Sequence, residues 1–336
     1  MNREYILHWQ KLSKTDKLQI FEETKKKTGL PIQAIEKDWW VTQTLGLIFT
    51  MDCAPHIVFK GGTSLSKAWN AIERFSEDID LALDRRYLGF DTEMSKSQVT
   101  KLRKASFQFI STVFFSQLKD KFEKAGFTDL KIQLAPTKDT DQDPLIIEIY
   151  YPELSPTSAY LKPRILVEIG SRSLMEPCSP RVFSSFVGAH YPNQSFADQP
   201  ITVATVNPER TFLEKVFLLH EEFQKPTDKI RTDRLSRHLY DLEKLIDTPY
   251  FERAISNDSL YQGIVNHRST ITPIRGIDYT NHSPSKISII PPASKLKEWQ
   301  KDYEIMQQNM IYGNSLSFEK LMERISWIQQ QINAKK

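Results

Sequence analysis

Residues 59–65 read FKGGTSL, and after a gap of eight residues the segment 74–81 reads RFSEDIDL. The apolar residues before the glycine pair predict a short strand that ends there, with a helix beginning one or two residues later. Glycines let a ligand approach the backbone closely, and the first turn of a helix has free N–H groups. The turn is therefore predicted to bind phosphate through backbone N–H groups and two hydroxyls. The residues expected to do so are Gly61, Gly62, Thr63 and Ser64.

Asp78 and Asp80 lie two residues apart in residues 78–83, where apolar residues alternate with acidic or small ones. This period predicts a strand, and side chains two apart on a strand share a face. Carboxylates crowded on one face repel each other unless a cation lies between them, and their oxygen atoms suit Mg²⁺. The sequence thus predicts a divalent metal site beside a phosphate turn, as phosphoryl and nucleotidyl transfer require.

Each half of this pattern is weak by itself, because a Gly-Gly-Thr-Ser turn and an Asp-x-Asp pair both occur by chance. The competing interpretation is a solvated edge strand that binds no metal. An unpaired carboxylate in an apolar strand is costly, and the preceding turn adds to the case. Together these two features favour the metal site.

Composition predicts a folded enzyme-sized chain: 336 residues, 40% hydrophobic and 11% aromatic, enough for one large domain or two ordinary ones. The net charge of +3 excludes a chain that is basic throughout but is compatible with a local RNA-binding face. Cys53 and Cys178 have no metal-ligand spacing and are expected to be incidental thiols. No apolar run approaches the ~18 residues of a membrane span, and charges interrupt the N-terminal segment where a signal peptide is apolar. We therefore expect a soluble cytoplasmic protein with no membrane partner.

Hydrophobic periodicity divides the chain into a sheet-containing domain at residues 1–200, which starts with helices, and a helical domain at residues 201–336. Strands are predicted at residues 56–59, 78–83, 145–150 and 165–169. Helices are predicted at residues 31–47, 63–72, 97–126, 208–224, 232–247 and 294–332, and residues 263–293 are predicted to be a loop. The expected fold class is α/β (α+β), with a small mixed sheet between an N-terminal helical lobe and a C-terminal helical domain.

The glycine turn and the Asp-x-Asp strand together resemble the first motif of the AbiEii family. These are nucleotidyltransferase toxins of abortive-infection and type IV toxin–antitoxin systems, within the DNA polymerase β-like superfamily. Further segments resemble the family: EKDWWV at residues 36–41, VEI at residues 167–169, and PERTFLEK at residues 208–215 with RHLYDL at residues 237–242. The matched segments span about residues 31–247. The resemblance implies a mixed sheet of the polymerase β type.

The resemblance also implies a third carboxylate, which we assign to Glu168, as a metal ligand or as the base for the attacking hydroxyl. Glu148, in a similar strand, is the alternative. Asp78, Asp80 and Glu168 are expected to bind two Mg²⁺ ions, with Mn²⁺ as the alternative ion. In the family a lysine near a tyrosine commonly precedes the third carboxylate. Here the tyrosines at residues 150–151 have no lysine in their strand, so this basic residue is not assigned.

Two helical residues complete the expected site. Lys215 is predicted to be catalytic and to neutralise the triphosphate, with Glu214 orienting it; the alternative is a solvated helix face. Asp241 is predicted either to contact the nucleotide or to form a buried ion pair that fixes two helices. Its neighbours Arg237 and His238 leave both interpretations open, and His238 by itself is expected to be a structural histidine.

Other basic residues are weaker candidates. Lys60 precedes the glycines, but strand parity can point it away from phosphate. Arg74 is expected to pair with Glu73 or Glu77, or to touch substrate. The basic tract at residues 225–237 is interpreted either as a phosphate-binding surface or as a solvated loop.

The implied reaction is attack of an acceptor hydroxyl on the α-phosphate of an NTP, with release of pyrophosphate. The resemblance implies RNA as the acceptor, at the 3′ end of tRNA, and a cognate antitoxin as a protein partner. The alternatives are transfer to a protein or small molecule, and a non-catalytic nucleotide- or RNA-binding module. No oligomeric state follows from the sequence.

Overall fold

The computed structural model of the protein describes residues 4–91, 93–156 and 162–335. The chain forms two compact units, and one short segment near the motif belongs to the second of them. The first unit consists of Met1–Ala68 and Phe75–Val206, and the second of Trp69–Arg74 and Asn207–Lys336.

The first unit is built on a seven-stranded mixed sheet. Its strands are β1 (Ile57–Lys60), β2 (Ile79–Leu83), β3 (Lys131–Leu134), β4 (Leu145–Tyr150), β5 (Arg164–Gly170), β6 (Cys178–Phe183) and β7 (Ile201–Val206). They lie in the order β3-β4-β5-β2-β1-β7-β6. Strand β2 is antiparallel to β1 and parallel to β5, so it lies in the centre of the sheet. The predicted α/β class with a mixed sheet is confirmed.

Helices pack against the sheet within the same unit. They are α1 (Glu4–Lys11), α2 (Lys14–Thr28), α3 (Ile32–Ile48), α4 (Gly61–Lys67), α5 (Lys96–Phe109), α6 (Phe115–Lys124) and α7 (Phe186–His190). Residues Ile110–Phe114 form a π-helical turn between α5 and α6. Helix α3 is buried along nearly its whole length, and the ring of Trp39 stacks on Trp9 at 4.6 Å. An all-round buried helix belongs to the core of its unit.

The second unit is helical. Its helices are α8 (Pro208–Phe223), α9 (Ser236–Ile246), α10 (Pro249–Ser256), α11 (Asp258–Thr270), α12 (Leu296–Asn309) and α13 (Phe318–Asn333). Aromatic rings fill its core: Phe217 lies 4.9 Å from Tyr261 and Phe212 lies 5.5 Å from Phe251, both edge to face. Within the described ranges, no helix of either unit is both long and apolar enough to cross a membrane.

The structure corrects several predicted boundaries. The helix expected at residues 63–72 runs from Gly61 to Lys67. The backbone of Asn70, at φ 51°, is left-handed, a conformation in which helices end and which asparagine tolerates. The predicted single helix at residues 294–332 is two helices, the second of which is capped by the Ser317 side chain. The predicted loop at residues 263–293 was wrong in its first part, because α11 continues to Thr270.

The sequence interpretation also missed three strands. Strand β6 lies at the edge of the sheet and contains Pro180, which suits an edge strand but weakens a strand signal in the sequence. Strand β3 has only four residues. Strand β7 was missed beside β6, although its residues are mostly β-branched.

Candidate active site

The turn between β1 and α4 lies directly against Asp80. Gly61 has φ +80°, and a Cβ atom there would collide with Oδ2 of Asp80 and lie 2.9 Å from its Cγ. Only glycine adopts this backbone at low cost while leaving room for the carboxylate. The glycine turn therefore brings its own backbone against the Asp80 carboxylate, through a close approach that is visible only in three dimensions.

Sheet register aligns three charged residues in one row. Lys60 lies opposite Asp80, and Asp80 lies opposite Glu168. Directly opposed residues on neighbouring strands point to the same face. These three side chains are half-buried, whereas the residues that alternate with them on β2 and β5 are buried. We call the face that carries Lys60, Asp80 and Glu168 the open face of the sheet.

Asp78 directly precedes β2 and is half-buried. The carbonyl oxygen of Asp78 accepts a hydrogen bond from Thr63 Oγ1 at 2.5 Å. The same hydroxyl lies 2.9 Å from Oγ of Ser76. Helix α4 thus holds the backbone of the segment that leads into β2.

The hydroxyls of Thr63 and Ser64, which the sequence suggested as phosphate donors, bind groups of the protein itself in this structure. Both side chains are buried, and Ser64 Oγ donates to the carbonyl of Gly61 at 2.9 Å. Because α4 begins at Gly61 and not at residue 63 or 64, these side chains lie within its first turn and face the protein. Gly61 and Gly62 are less buried than these two residues, so their backbone N–H groups are the better candidates for phosphate contact.

Glu148, the alternative third carboxylate, lies one strand further from Asp80. It is paired with Leu166, whereas Glu168 is paired with Ile146 on that strand and with Asp80 on the other side. The carboxylate of Glu148 accepts hydrogen bonds from Gln133 at 2.8 Å, Tyr150 at 3.1 Å and Arg164 at 2.5 Å. These bonds, that of Gln133 first, hold the pKa of Glu148 below its ordinary value. Register and partners therefore favour Glu168 as the neighbour of Asp80.

Arg164 is a basic residue that the sequence interpretation missed. It lies on β5 with Leu166 and Glu168 at alternate positions, so all three share the open face. Its guanidinium lies 3.3 Å from the Tyr150 hydroxyl and is held by Glu148. Arg164 is an arginine on β5 and not a lysine in the strand of the tyrosines. Its spacing from Leu166 and Glu168 nevertheless indicates that the three side chains share one face.

Three consecutive charged residues of α3 are buried, and each binds a different segment of the first unit. Glu36 accepts hydrogen bonds from the backbone of Leu154 at 2.9 Å and of Ser155 at 3.0 Å, just after β4. Burial raises the pKa of the Glu36 carboxyl. Asp38 binds Lys67, at the end of α4, at 2.5 Å and the backbone N–H of Phe186 at 2.8 Å.

Between them, Lys37 Nζ lies 2.5 Å from Glu77 Oε2 and donates to the carbonyl of Lys162 at 3.0 Å. Both side chains of this ion pair are almost fully buried. Glu77 is the residue before Asp78, and Lys162 lies two residues before β5. Lys37 is thus a partner of Glu77 that the sequence interpretation did not include.

Arg74 belongs to a cluster in the second unit, the Asp241 cluster, formed by Arg74, Lys215, His238 and Asp241. Asp241 is fully buried and binds Arg74 at 2.7 and 2.8 Å and Lys215 at 2.8 Å. Burial raises the pKa of Asp241, but the charges of Arg74 and Lys215 outweigh it and hold that pKa well below its ordinary value. These contacts link α8 to α9, as the ion-pair interpretation of Asp241 expected.

The remaining members of the cluster are also engaged. Lys215 Nζ lies 3.3 Å from His238 Nδ1, and burial with the charges of Lys215 and Arg237 lowers the pKa of His238 well below its ordinary value. A neutral imidazole accepts this hydrogen bond from the lysine. Glu214, which was expected to orient Lys215, binds Arg210 at 2.9 and 3.0 Å. Lys215 therefore supports the interior of its unit and is not on a solvated helix face.

The basic tract at residues 225–237 is partly neutralised within the second unit. Lys225 and Arg231 both bind the buried carboxylate of Glu222 at 2.7 Å. The exposed side chain of Lys229 lies 3.4 Å from Asp228. These ion pairs favour the interpretation of residues 225–237 as a solvated loop over that of a phosphate-binding surface.

The carboxylates of the open face supply the hard oxygen donors that a divalent cation prefers. Asp80 and Glu168 are adjacent in register and half-buried, so an ion can reach them. In the described part of the chain, no group of three or more His, Cys, Asp or Glu side chains is already assembled as a metal site. The donor set of Asp80 and Glu168 fits a divalent ion.

Comparison with known protein families places this chain in one of them. The family model described as "Nucleotidyl transferase AbiEii toxin, Type IV TA system" matches residues 48–324. Among solved structures, the "Crystal structure of JHP933 from Helicobacter pylori" is similar with a TM-score of 0.41 and 14% identity, over 90% of this chain and 93% of that chain. None of the curated proteins matches this sequence.

Proposed function

Because the chain belongs to the AbiEii nucleotidyl transferase toxin family of type IV toxin–antitoxin systems, we propose that it transfers a nucleotide from an NTP to an acceptor hydroxyl at the open face of its sheet. The family makes the chain an enzyme, a nucleotidyltransferase, with a nucleotide as substrate and an antitoxin as partner. Beyond the family's activity, we propose the residues that carry the reaction, the ion that assists them and the acceptor.

One observation carries the assignment of the site: Asp80 lies between Gly61 and Glu168. The glycine turn touches the Asp80 carboxylate on one side, and the β2–β5 register aligns Glu168 on the other. A triphosphate whose phosphates meet the backbone N–H groups of Gly61 and Gly62 then lies next to both carboxylates. In this proposal Asp78, Asp80 and Glu168 are the catalytic carboxylates.

Two divalent ions, Mg²⁺ or Mn²⁺, held by Asp78, Asp80 and Glu168 would neutralise phosphate charge and lower the pKa of the acceptor hydroxyl. Glu168 lies beside Asp80 on the open face, where it can accept the proton of that hydroxyl. Arg164, oriented by Glu148, offers a fixed guanidinium for a phosphate on the same face. Because Lys215 binds Asp241 and both side chains are buried inside the second unit, we assign them a structural role.

We propose RNA, at the 3′ end of tRNA, as the acceptor, as the family resemblance implies. The test is incubation of the purified protein with Mg²⁺, each of the four labelled NTPs in turn, and total tRNA. Label on tRNA supports the proposal. Label on protein indicates a protein acceptor, and tight NTP binding without transfer indicates a non-catalytic binding module.

The matched variants are Asp80→Asn and Asp139→Asn, which make the same chemical change on the open face and on an exposed loop. Asp80→Asn is expected to reduce transfer by at least about 10³-fold, because it removes a charge that acts on the reacting phosphate. Asp139→Asn is expected to transfer at the wild-type rate. Wild-type transfer by Asp80→Asn would refute the assignment of the site.

A further inference from the structure

The three charged residues at the start of α3, Glu36, Lys37 and Asp38, have no role in the site as described so far. They belong to the segment EKDWWV at residues 36–41, which resembles the family and precedes residues 48–324, the range that the family model matches. All three are buried. Burying ion pairs is costly, and replacing such a pair with apolar residues of similar volume is often neutral or stabilising. Stability alone therefore does not explain why these charges are buried. The groups that they bind suggest a reason.

Their partners lie at the ends of the elements that build the open face. Glu36 holds the chain after β4, Asp38 holds the end of α4, and Lys37 holds both Glu77 and the chain before β5. One turn of α3 thus holds the chain after β4 and the end of α4 and, through Lys37, the segments that lead into the strands of Asp80 and Glu168. Of the three, Lys37 is the one whose partner, Glu77, is next in sequence to a proposed catalytic residue, Asp78.

Glu77 and Asp78 are neighbours in sequence but differ in burial. Glu77 is buried against Lys37, whereas Asp78 is half-buried. Glu77 is joined to Asp78 by a single peptide bond, and Asp78 directly precedes β2. Holding Glu77 against α3 therefore restricts the backbone from which the Asp78 side chain projects. The bond from Thr63 to the Asp78 carbonyl fixes the same segment through its backbone.

We propose that Lys37 is a positioning residue of the nucleotidyl-transfer site, which fixes the direction of Asp78 through its ion pair with Glu77 and so sets the affinity of the site for a divalent ion. This rests on the proposed function, because it takes Asp78 as an ion ligand. Lys37 touches no reacting atom in this proposal and acts only through Glu77.

Electrostatics and positioning make opposite predictions for removal of the lysine charge. The charges of Glu77 and Asp78 act on Lys37, although burial has the larger effect and lowers its pKa. If Lys37 were only a nearby positive charge, Lys37→Met would raise the affinity of the site for a cation. If it positions Asp78, the same substitution lowers that affinity, by about 10-fold as for other residues that orient metal ligands.

The experiment measures Mn²⁺ binding to the full-length protein without nucleotide, by electron paramagnetic resonance of free Mn²⁺. Lys37→Met is expected to weaken Mn²⁺ binding about 10-fold. Lys37→Met with Glu77→Gln is expected to weaken it no further than Glu77→Gln alone, because both changes break one link. The control, Lys121→Met, removes an equal charge whose Nζ donates to the Thr50 carbonyl at 2.7 Å, and is expected to bind Mn²⁺ as wild type does.

The outcomes separate the two proposals. Unchanged or tighter Mn²⁺ binding by Lys37→Met, with binding abolished in Asp80→Asn, overturns the role of Lys37 and leaves the proposed function standing. Equal Mn²⁺ binding by wild type and Asp80→Asn overturns both. If Lys37→Met does not fold, Lys37→Gln removes the same charge while keeping a donor for Glu77, and the same comparison applies.

Discussion

On the open face of the first unit, Asp80 and Glu168 keep partly exposed carboxylates beside a glycine turn, whereas in the second unit Asp241 is fully buried between Arg74 and Lys215. The sequence proposed all three acids for one site. The first two have the access that an ion or a phosphate needs. The third is already bound by two cations of its own unit.

The difference teaches that a carboxylate's surroundings separate a reactive role from a structural one. A carboxylate that is saturated by buried cations has a strongly lowered pKa, as Asp241 has, and offers nothing further to a ligand. Aligned carboxylates that remain accessible to solvent can still bind an ion that reaches them. Variants of each kind are therefore expected to fail in different measurements.

The largest effect is expected from Glu168→Gln. Loss of this charge next to Asp80 should reduce nucleotide transfer by at least about 10³-fold with little change in the thermal unfolding midpoint. Glu148→Gln makes the same change one strand away and should reduce transfer by no more than about 10-fold, through Arg164. Initial rates of labelled nucleotide incorporation measure both, and a larger loss in Glu148→Gln would show that the assignment of the third carboxylate is wrong.

Asp241→Asn is expected to act on stability. It leaves Arg74 and Lys215 buried without their counter-charge, which should lower the free energy of unfolding by about 3–5 kcal/mol. Asp247→Asn, at an exposed partner of Arg324, should cost less than about 1 kcal/mol. Urea denaturation measures both. A stable Asp241→Asn with a raised KM for the NTP would contradict the structural role and restore a nucleotide contact.

Gly61→Ala tests the close approach of the Gly61 backbone to the Asp80 carboxylate. The new Cβ collides with the Asp80 carboxylate, and displacing it should reduce transfer by about 100-fold. Gly89→Ala is a matched control, because Gly89 has φ +82° with nothing within 4 Å of an added Cβ. Both variants carry similar backbone strain. Equal activity of the two would show that strain, and not contact with Asp80, governs the turn.

The smallest effect is a pH dependence of stability in the second unit. Burial, with a smaller contribution from His282, lowers the pKa of His220 to about 4. The unfolded chain therefore binds a proton more readily, and stability falls as pH decreases from about 6.5 towards 4. Between pH 7 and 5 the loss should be about 2 kcal/mol. Urea denaturation of wild type and His220→Gln checks this: the variant should lack that part of the slope, and identical slopes would contradict it.

Part of the site was predictable because its signals are local. The strand before Gly61, the alternation around Asp80 and the alternation of Arg164, Leu166 and Glu168 depend only on neighbouring residues and on the period of a strand. The α/β class follows from the same patterns. The family resemblance of residues 59–81 rests on them as well.

The rest could not be predicted because it depends on residues far apart in sequence. The choice between Glu168 and Glu148 is set by which strand lies beside β2. The partner of Arg74 lies 167 positions away in sequence, and that of Lys37 lies 40 positions away. No local period encodes such pairs, since register and packing choose among many acids of equal charge.

The sequence by itself determined that Asp80 lies in a strand after a glycine turn, with Asp78 directly before that strand, because the alternation of apolar residues predicts a strand there. Only the tertiary structure decided which acid stands beside them, that the Thr63 and Ser64 hydroxyls turn inward, and that Asp241 is neutralised within its own unit. These outcomes depend on burial and on long-range contacts, which reward pairing of charges wherever the fold removes them from water.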